Sequence, residues 1–272
     1  MNIEQTIFLG IIQGLTEFLP VSSSGHLVIF QHLIGLTNPE LLLDISLHVG
    51  TLLAVLIFFR TDIKMIIYES VALIGSRFRK QNPNNKIQQL PYAALGLWIV
   101  IGTIPTALIG ILFSSFFQKM FGSAFFVGFM LIATGTLLGA SRFIPDDFAK
   151  KNHPGLIASI FIGIAQGAAI IPGISRSGAT IVCGLFCGLN RDLAGRFSFL
   201  LSIPAIIGAS IVQFDMTKVH EIGFMPFFTG MFVSFLVGIA ALKITMNMVR
   251  KGNLYYFAPY CFLAGIVAIF IT

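Results

Sequence analysis

Reactive side chains stand in this chain where an apolar sequence rarely carries them. Glu17 lies in the run IFLGIIQGLTEFLPVSSSG (7–25), four residues after Gln13, so carboxylate and amide share one helical face. The hydroxyls of Ser22, Ser23 and Ser24 follow, then Gly25 and the imidazole of His26. Far along the chain, the run IFIGIAQGAAIIPGISRSG (160–178) carries Arg176 between Ser175 and Ser177, just before Gly178. This inventory suits an anionic, phosphate-like group. Ser23 is the candidate nucleophile, with Glu17 and His26 as candidate general acid or base. A guanidinium presents a planar fork of donors to phosphate oxygens. Helices starting around His26 and Ser177 would turn their positive ends, with the N–H groups near Gly25 and Gly178, toward the same anion. Phosphoryl transfer needs charge neutralisation and positioning above all.

Blander readings exist for each feature. A serine run before a helix is often an N-cap. Glu17 could be protonated, or could form a purely structural ion pair with Arg176. His32 and His48 could simply pack or hydrogen-bond, and His153 and His220 fall in loops. The chain has no GxxxxGK[ST], HExxH or GxSxG, so nucleotide hydrolysis and zinc or elbow-serine hydrolysis find no support. A divalent ion shared between Glu17 and a diphosphate would match the habit of magnesium, and the shortage of other acids argues against a multi-carboxylate cage.

The two reactive runs are copies of each other. At an offset of 153, nine of nineteen positions are identical: Ile7, Phe8, Gly10, Ile11, Gln13, Gly14, Ser22, Ser24 and Gly25 match Ile160, Phe161, Gly163, Ile164, Gln166, Gly167, Ser175, Ser177 and Gly178. The differences divide the chemistry. Glu17 faces Ile170, and Ser23 faces Arg176.

The elements that must position these groups are apolar helices. The 272 residues are 56% hydrophobic and 10% charged, with mean hydropathy +0.91; a soluble domain is nearer a quarter charged. The reading is an all-α polytopic membrane protein without a separate soluble domain. The N-terminus, with Glu4 and no basic stretch, does not resemble a cleavable signal. A net charge of +6 fits positive-inside loops better than nucleic-acid binding. Cys183, Cys187 and Cys261 lie in apolar stretches and read as packing residues.

Apolar runs at roughly 44–59, 91–114, 121–141, 197–214, 224–248 and 254–271 predict six spanning helices. Residues 3–35 and 155–189 are broken near their middles by PVSSSG and PGISRSG and predict re-entrant helical hairpins. Residues 64–77 predict an interfacial amphipathic helix. With Arg77, Arg79, Lys80 and Lys86 in the cytoplasm, fourteen of the seventeen basic residues fall at or near that face, Lys119, Lys218 and Arg176 excepted. Three crossings separate the hairpins, so they enter from opposite faces. The result is an inverted-topology repeat within one membrane domain, repeat 1 at about 1–141 and repeat 2 at about 154–272, with both termini outside and both tips near the midplane.

The segments QGLTEFLPVSSSGH (13–26) and PGISRSGAT (172–180) closely resemble the signature motifs of bacterial undecaprenyl-diphosphate phosphatases of the bacitracin-resistance type. The resemblance covers essentially the whole chain in length and hydropathy. It implies an inner-membrane enzyme that converts undecaprenyl diphosphate to undecaprenyl phosphate for peptidoglycan synthesis, with a site open to the periplasm. It also implies a divalent cation, Mg2+ or Ca2+. The family's [E/Q]xxxE pair falls on Gln13 and Glu17, here in the Gln variant, which concentrates any metal or proton role on Glu17. Catalytic roles are expected of Glu17, Ser23, His26 and Arg176. Substrate contacts are expected of Gln13, Ser22, Ser24, Gly25, Ser175, Ser177 and Gly178. Whether Ser23 or an activated water attacks phosphorus stays open. The partners are a polyprenyl diphosphate lipid and the bilayer, no nucleic acid, and, as the protein partner considered, a second copy in a homodimer. A lipid transporter or a non-catalytic binder of the diphosphate is the alternative class, since inverted repeats are common in transporters.

Overall fold

The computed structural model of the chain describes residues 3–33, 41–77, 90–120, 123–145, 148–213 and 223–271. The helices are α1 (Ile3–Phe18), α2 (Ser23–Leu33), α3 (Leu41–Phe58), α4 (Arg60–Arg77), α5 (Pro91–Leu112), α6 (Ser114–Met120) and α7 (Ala124–Ala140), then α8 (Gly155–Ala168), α9 (Arg176–Phe186), α10 (Arg191–Gln213), α11 (Phe224–Arg250) and α12 (Ala258–Ile271). Short 3-10 turns occupy Ser141–Phe143 and Leu254–Phe257. Among the described residues the only β-type pairing is an isolated bridge between Lys151 and Leu189. Arg79, Lys80, Lys86, Lys218 and His220 lie outside the described residues, as do the side chains of His32, Arg77 and Lys119.

Large apolar side chains cover the outside of the bundle, among them Ile104 and Leu108 on α5, Ile211 on α10 and Phe232 and Leu236 on α11. This is the surface of a multi-pass membrane protein. Among the described residues, four helical stretches are long and apolar enough to cross a bilayer: Pro91–Leu112, Ala124–Phe143, Arg191–Val212 and Phe224–Arg250. The other two expected spans fall short. The run at 44–59 qualifies only together with α4, which leaves it at 72°. At 254–271, Leu254–Phe257 is spent on a 3-10 turn after the left-handed Gly252, leaving 14 residues in α12. The helix expected over 64–77 begins at Arg60, and it is not simply two-faced. Ile67, Tyr68, Val71 and Ile74 point outward. Its buried Glu69 turns inward and accepts from the N–H groups of Tyr92 and Ala93 at 2.8 and 3.0 Å, capping α5.

Both broken segments form helix pairs. With 16 and 11 residues, α1 and α2 extend about 24 and 16 Å, well short of a hydrocarbon core of about 30 Å. The glycines shared by the two copies explain where the pairs lie. On α1, a Cβ at Gly14 would sit 2.8 Å from the Ser234 carbonyl oxygen of α11, and one at Gly10 3.1 Å from that of Gly230. On α8, Gly163 meets Gly102 and Pro105 of α5, and Gly167 meets Ile109. Thr106 Oγ1 closes that contact by donating to the Gly163 carbonyl at 2.8 Å. The first pair therefore packs on a long helix of the second half, and the second pair on a long helix of the first. Small residues permit such close helix approach.

Beneath the tips lies a core that includes Phe18, Phe197, Phe199, Ile181 and Leu201. The Phe18 and Phe199 rings meet edge-on at 5.7 Å. Charged groups gather where α3 joins α4, α10 starts and α11 ends: Arg196 pairs with Asp62, and Arg250 binds Asp192 at 2.6 Å. Arg142, just past α7, sits 5.5 Å from the Tyr255 ring.

Candidate active site

The two tips touch. A Cβ on Gly178 would lie 3.3 Å from Pro20 Cβ, and one on Gly25 3.2 Å from the Gly173 Cα. Ser177 Oγ reaches the Leu19 carbonyl at 3.5 Å. Cys261 Sγ, buried on α12, points at the Pro20 carbonyl.

Each tip caps its own second helix in the same way. Ser22 Oγ accepts from the Gly25 N–H at 3.3 Å and lies 3.3 Å from Ser24 Oγ. Ser175 Oγ accepts from the Gly178 N–H at 3.1 Å and lies 3.3 Å from Ser177 Oγ. These are serine N-caps. Of the expected substrate contacts, Ser22, Ser175 and Ser177 are buried here, and the Gly25 and Gly178 N–H groups bond to the capping serines. The helices also begin earlier than expected, α2 at Ser23 and α9 at Arg176. Ser23 and Arg176 thus occupy the same place, the first residue after the cap, and both are only partly buried.

The second tip turns through Gly173 at φ +96°, where a Cβ would fall 2.5 Å from the Val127 carbonyl oxygen. Only glycine fits there. Thr134 of α7 secures this turn, donating to the Gly173 carbonyl at 2.8 Å and accepting from the Ser175 N–H at 3.0 Å. No motif marks Thr134 in the sequence. Thr134→Val should strand both backbone groups in a buried place at about 1–3 kcal/mol each, and Thr134→Ser should keep them paired. Thermal unfolding in detergent is expected to show a clear loss for valine and a small one for serine.

The first tip carries the one strained non-glycine backbone among the described residues, Ser22 at φ +69°. Such a conformation costs about 1–3 kcal/mol and persists only where its surroundings enforce it.

Glu17 is the hub. Its Oε1 pairs with Arg176 Nη2 across the tips. Its Oε2 accepts from Ser23 Oγ at 2.6 Å and from Gln13 Nε2 at 3.0 Å. Gln13 Nε2 also donates to His48 Nδ1 at 2.9 Å, and that nitrogen lies 3.5 Å from Glu17 Oε2. The structure thus brings together Gln13, Glu17, Ser23 and Arg176, and adds His48 of α3, for which the sequence suggested only packing or a hydrogen bond. It holds His26 apart. His26 is buried, with Nδ1 2.8 Å from the Ser22 carbonyl and Nε2 2.7 Å from the Tyr260 hydroxyl. Both ring nitrogens are occupied, and neither partner is Glu17 or Ser23. An acid–base role for His26 is therefore not supported by its geometry.

Among the described residues three buried side-chain polar atoms have no partner: Gln13 Oε1, Gln166 Oε1 and Arg176 Nη1. Two of them belong to this constellation. An orphaned guanidinium N–H beside a hydroxyl–carboxylate pair is a donor held ready for an anion, because stranding a buried donor otherwise costs free energy. For a divalent cation, the chain offers the Glu17 carboxylate and the orphaned Gln13 Oε1. No group of three His, Cys, Asp or Glu side chains converges among the described residues. This donor set fits a magnesium-type ion that takes its remaining oxygens from phosphate and water, and does not fit an all-protein cage.

Comparison with known proteins agrees with this chemistry. The profile of the family described as "Bacitracin resistance protein BacA" matches residues 6–267. A protein named undecaprenyl-diphosphatase from Desulfosudis oleivorans is 46% identical over 98% of this chain and 97% of its own length. Proteins of the same name from Desulforapulum autotrophicum and Halothermothrix orenii are 42% and 43% identical, over at least 98% of both chains in each case.

Proposed function

The chain belongs to the bacitracin resistance protein BacA family, and from that premise we infer that it hydrolyses undecaprenyl diphosphate to undecaprenyl phosphate and inorganic phosphate. The observation that carries the reading is the Glu17 carboxylate bonded at once to the Ser23 hydroxyl of its own tip and the Arg176 guanidinium of the other.

The terminal phosphate docks against Arg176, whose unpaired Nη1 takes a non-bridging oxygen. As the guanidinium turns to phosphate, a Glu17 oxygen is freed. Glu17 accepts the Ser23 proton while Ser23 Oγ forms a bond to the terminal phosphorus. The bond from that phosphorus to the bridging oxygen breaks, and undecaprenyl phosphate leaves with the proton from Glu17. Water then attacks the phosphoserine. Glu17 takes a proton from the water and returns it to Ser23, and inorganic phosphate departs. The first-turn N–H groups of Ser23 and Ser24, which helix geometry leaves without intrahelical partners, add donors at the same place. Glu17 and Gln13 would hold a divalent cation against the diphosphate, where it would neutralise phosphate oxygens.

The two tips entering from opposite faces of the cytoplasmic membrane, with six crossings in all, is the topology this reading uses. The reciprocal packing of each helix pair on the other half supports it, as does the gathering of Arg142, Arg196 and Arg250 at one end. That end is cytoplasmic by the positive-inside rule. His48 lies about 10 Å along α3 from the far end and about 15 Å from the basic end, which favours a site opening to the periplasm.

Phosphate release from a long-chain polyprenyl diphosphate by the purified protein, with and without EDTA, tests the function. Release that EDTA suppresses is expected. The reciprocal packing also resembles a transporter's; a protein that moved the lipid across a liposome without releasing phosphate would establish that reading instead.

A further inference from the structure

We propose that Tyr260, on the last helix of the second half, is a positioning residue for the Ser23 hydroxyl, acting through His26. The proposal rests on the reading of Glu17, Ser23 and Arg176 as the reacting set.

Ser22 immediately precedes Ser23, and its φ of +69° decides where the Ser23 side chain points. The Ser22 carbonyl accepts twice from the same residue, from the His26 N–H at 3.2 Å and from the His26 ring at Nδ1, 2.8 Å. A carbonyl only accepts, so Nδ1 carries the proton. In a neutral ring Nε2 is then an acceptor, and the Tyr260 hydroxyl donates to it at 2.7 Å. The two ring planes lie within 8° of parallel, with centroids 5.7 Å apart. The Tyr260 hydroxyl therefore selects the tautomer that holds the left-handed Ser22 in place. His26 is buried, whereas Tyr260 is half exposed on the outer surface of the bundle. The tyrosine is thus the outermost member of the relay.

The other tip shows that capping does not require this relay. It has the same serine cap, but its cap residue Ser175 has an ordinary φ of −72°. The residue matching His26 at the 153-residue offset is Ala179. The left-handed serine, the imidazole and the tyrosine occur together only beside Glu17 and Ser23. A relay needed for folding alone would be expected at both tips.

The test is steady-state phosphate release from undecaprenyl diphosphate by Tyr260→Phe, His26→Asn and the double variant, with thermal unfolding followed in the same detergent. Tyr260→Phe keeps the ring and removes the donor. It is expected to lower kcat about tenfold while KM stays within twofold and the unfolding midpoint does not move. His26→Asn retains an N–H near the Ser22 carbonyl but has no Nε2. In that background Tyr260→Phe should have no further effect. A wild-type kcat for Tyr260→Phe, a loss confined to KM or to stability, or full additivity in the double variant would each overturn the proposal. Glu17→Ala and Arg176→Ala are run alongside. If they are inactive while Tyr260→Phe is normal, the relay alone fails; if they turn over normally, the site reading itself fails.

Discussion

Arg176→Ala is expected to lower kcat for phosphate release from undecaprenyl diphosphate by about 10³-fold, equivalent to ~4 kcal/mol of transition-state stabilisation. Arg176 pairs with Glu17 across the two tips, and its Nη1 is buried without a partner. In phosphoryl transfer a single guanidinium on the equatorial oxygens is worth a factor of this order. Alanine also strands the Glu17 carboxylate, and breaking one side of a buried pair costs about 3–5 kcal/mol of stability. Arg176→Lys separates the two effects. An ammonium satisfies the Glu17 charge and should restore the unfolding midpoint. It lacks the planar fork that can hold carboxylate and phosphate together, so activity should stay at least tenfold down. Full activity in the lysine variant would make Arg176 a charge partner and nothing more.

Ser23→Ala is expected to have a loss of the same order, about 10³-fold or more, with little change in stability. Ser23 is partly buried and its Oγ donates to Glu17 at 2.6 Å, the hydroxyl–carboxylate distance expected of a nucleophile beside its base. Alanine removes one hydrogen bond from a carboxylate that keeps Arg176 and Gln13. Wild-type substrate labelled on its terminal phosphate should leave label on Ser23 after rapid acid quench. Retention of more than about a tenth of the turnover by Ser23→Ala would point to water as the direct nucleophile, with Glu17 as its base.

How much of this was legible in the sequence differs residue by residue. Glu17 and Arg176 stood out because a duplicated stretch made their unlike charges conspicuous, and the structure joins them. The glycines did as well: Gly10, Gly14, Gly163 and Gly167 repeat because each copy lays its first helix on a helix of the other half. The serines were harder. SSSG and SRSG advertise both an anion site and a cap, and in the fold the Ser22 and Ser175 hydroxyl oxygens accept the capping N–H bonds. Nearness along the chain suggests acid–base work for His26. Its ring is instead held by Ser22 and by Tyr260, 234 residues away, and no local pattern carries such a pairing. His48 and Thr134 reach the tips from α3 and α7, helices without a motif. Apolar composition also conceals two breaks, at the bend between α3 and α4 and at the 3-10 turn before α12, so four of the six expected spans stand as single long apolar helices among the described residues.

Glu17 connects every part of the site: the Ser23 hydroxyl, the Gln13 amide and the guanidinium of the opposite tip. The most direct test of a single reacting site shared by both tips is therefore the initial rate of phosphate release from undecaprenyl diphosphate by purified, folded Glu17→Ala beside the wild type. A rate at least about 10³-fold below wild type, within reach of the no-enzyme background, is expected. Turnover like that of the wild type would contradict it and reduce the Glu17–Arg176 contact to a structural ion pair.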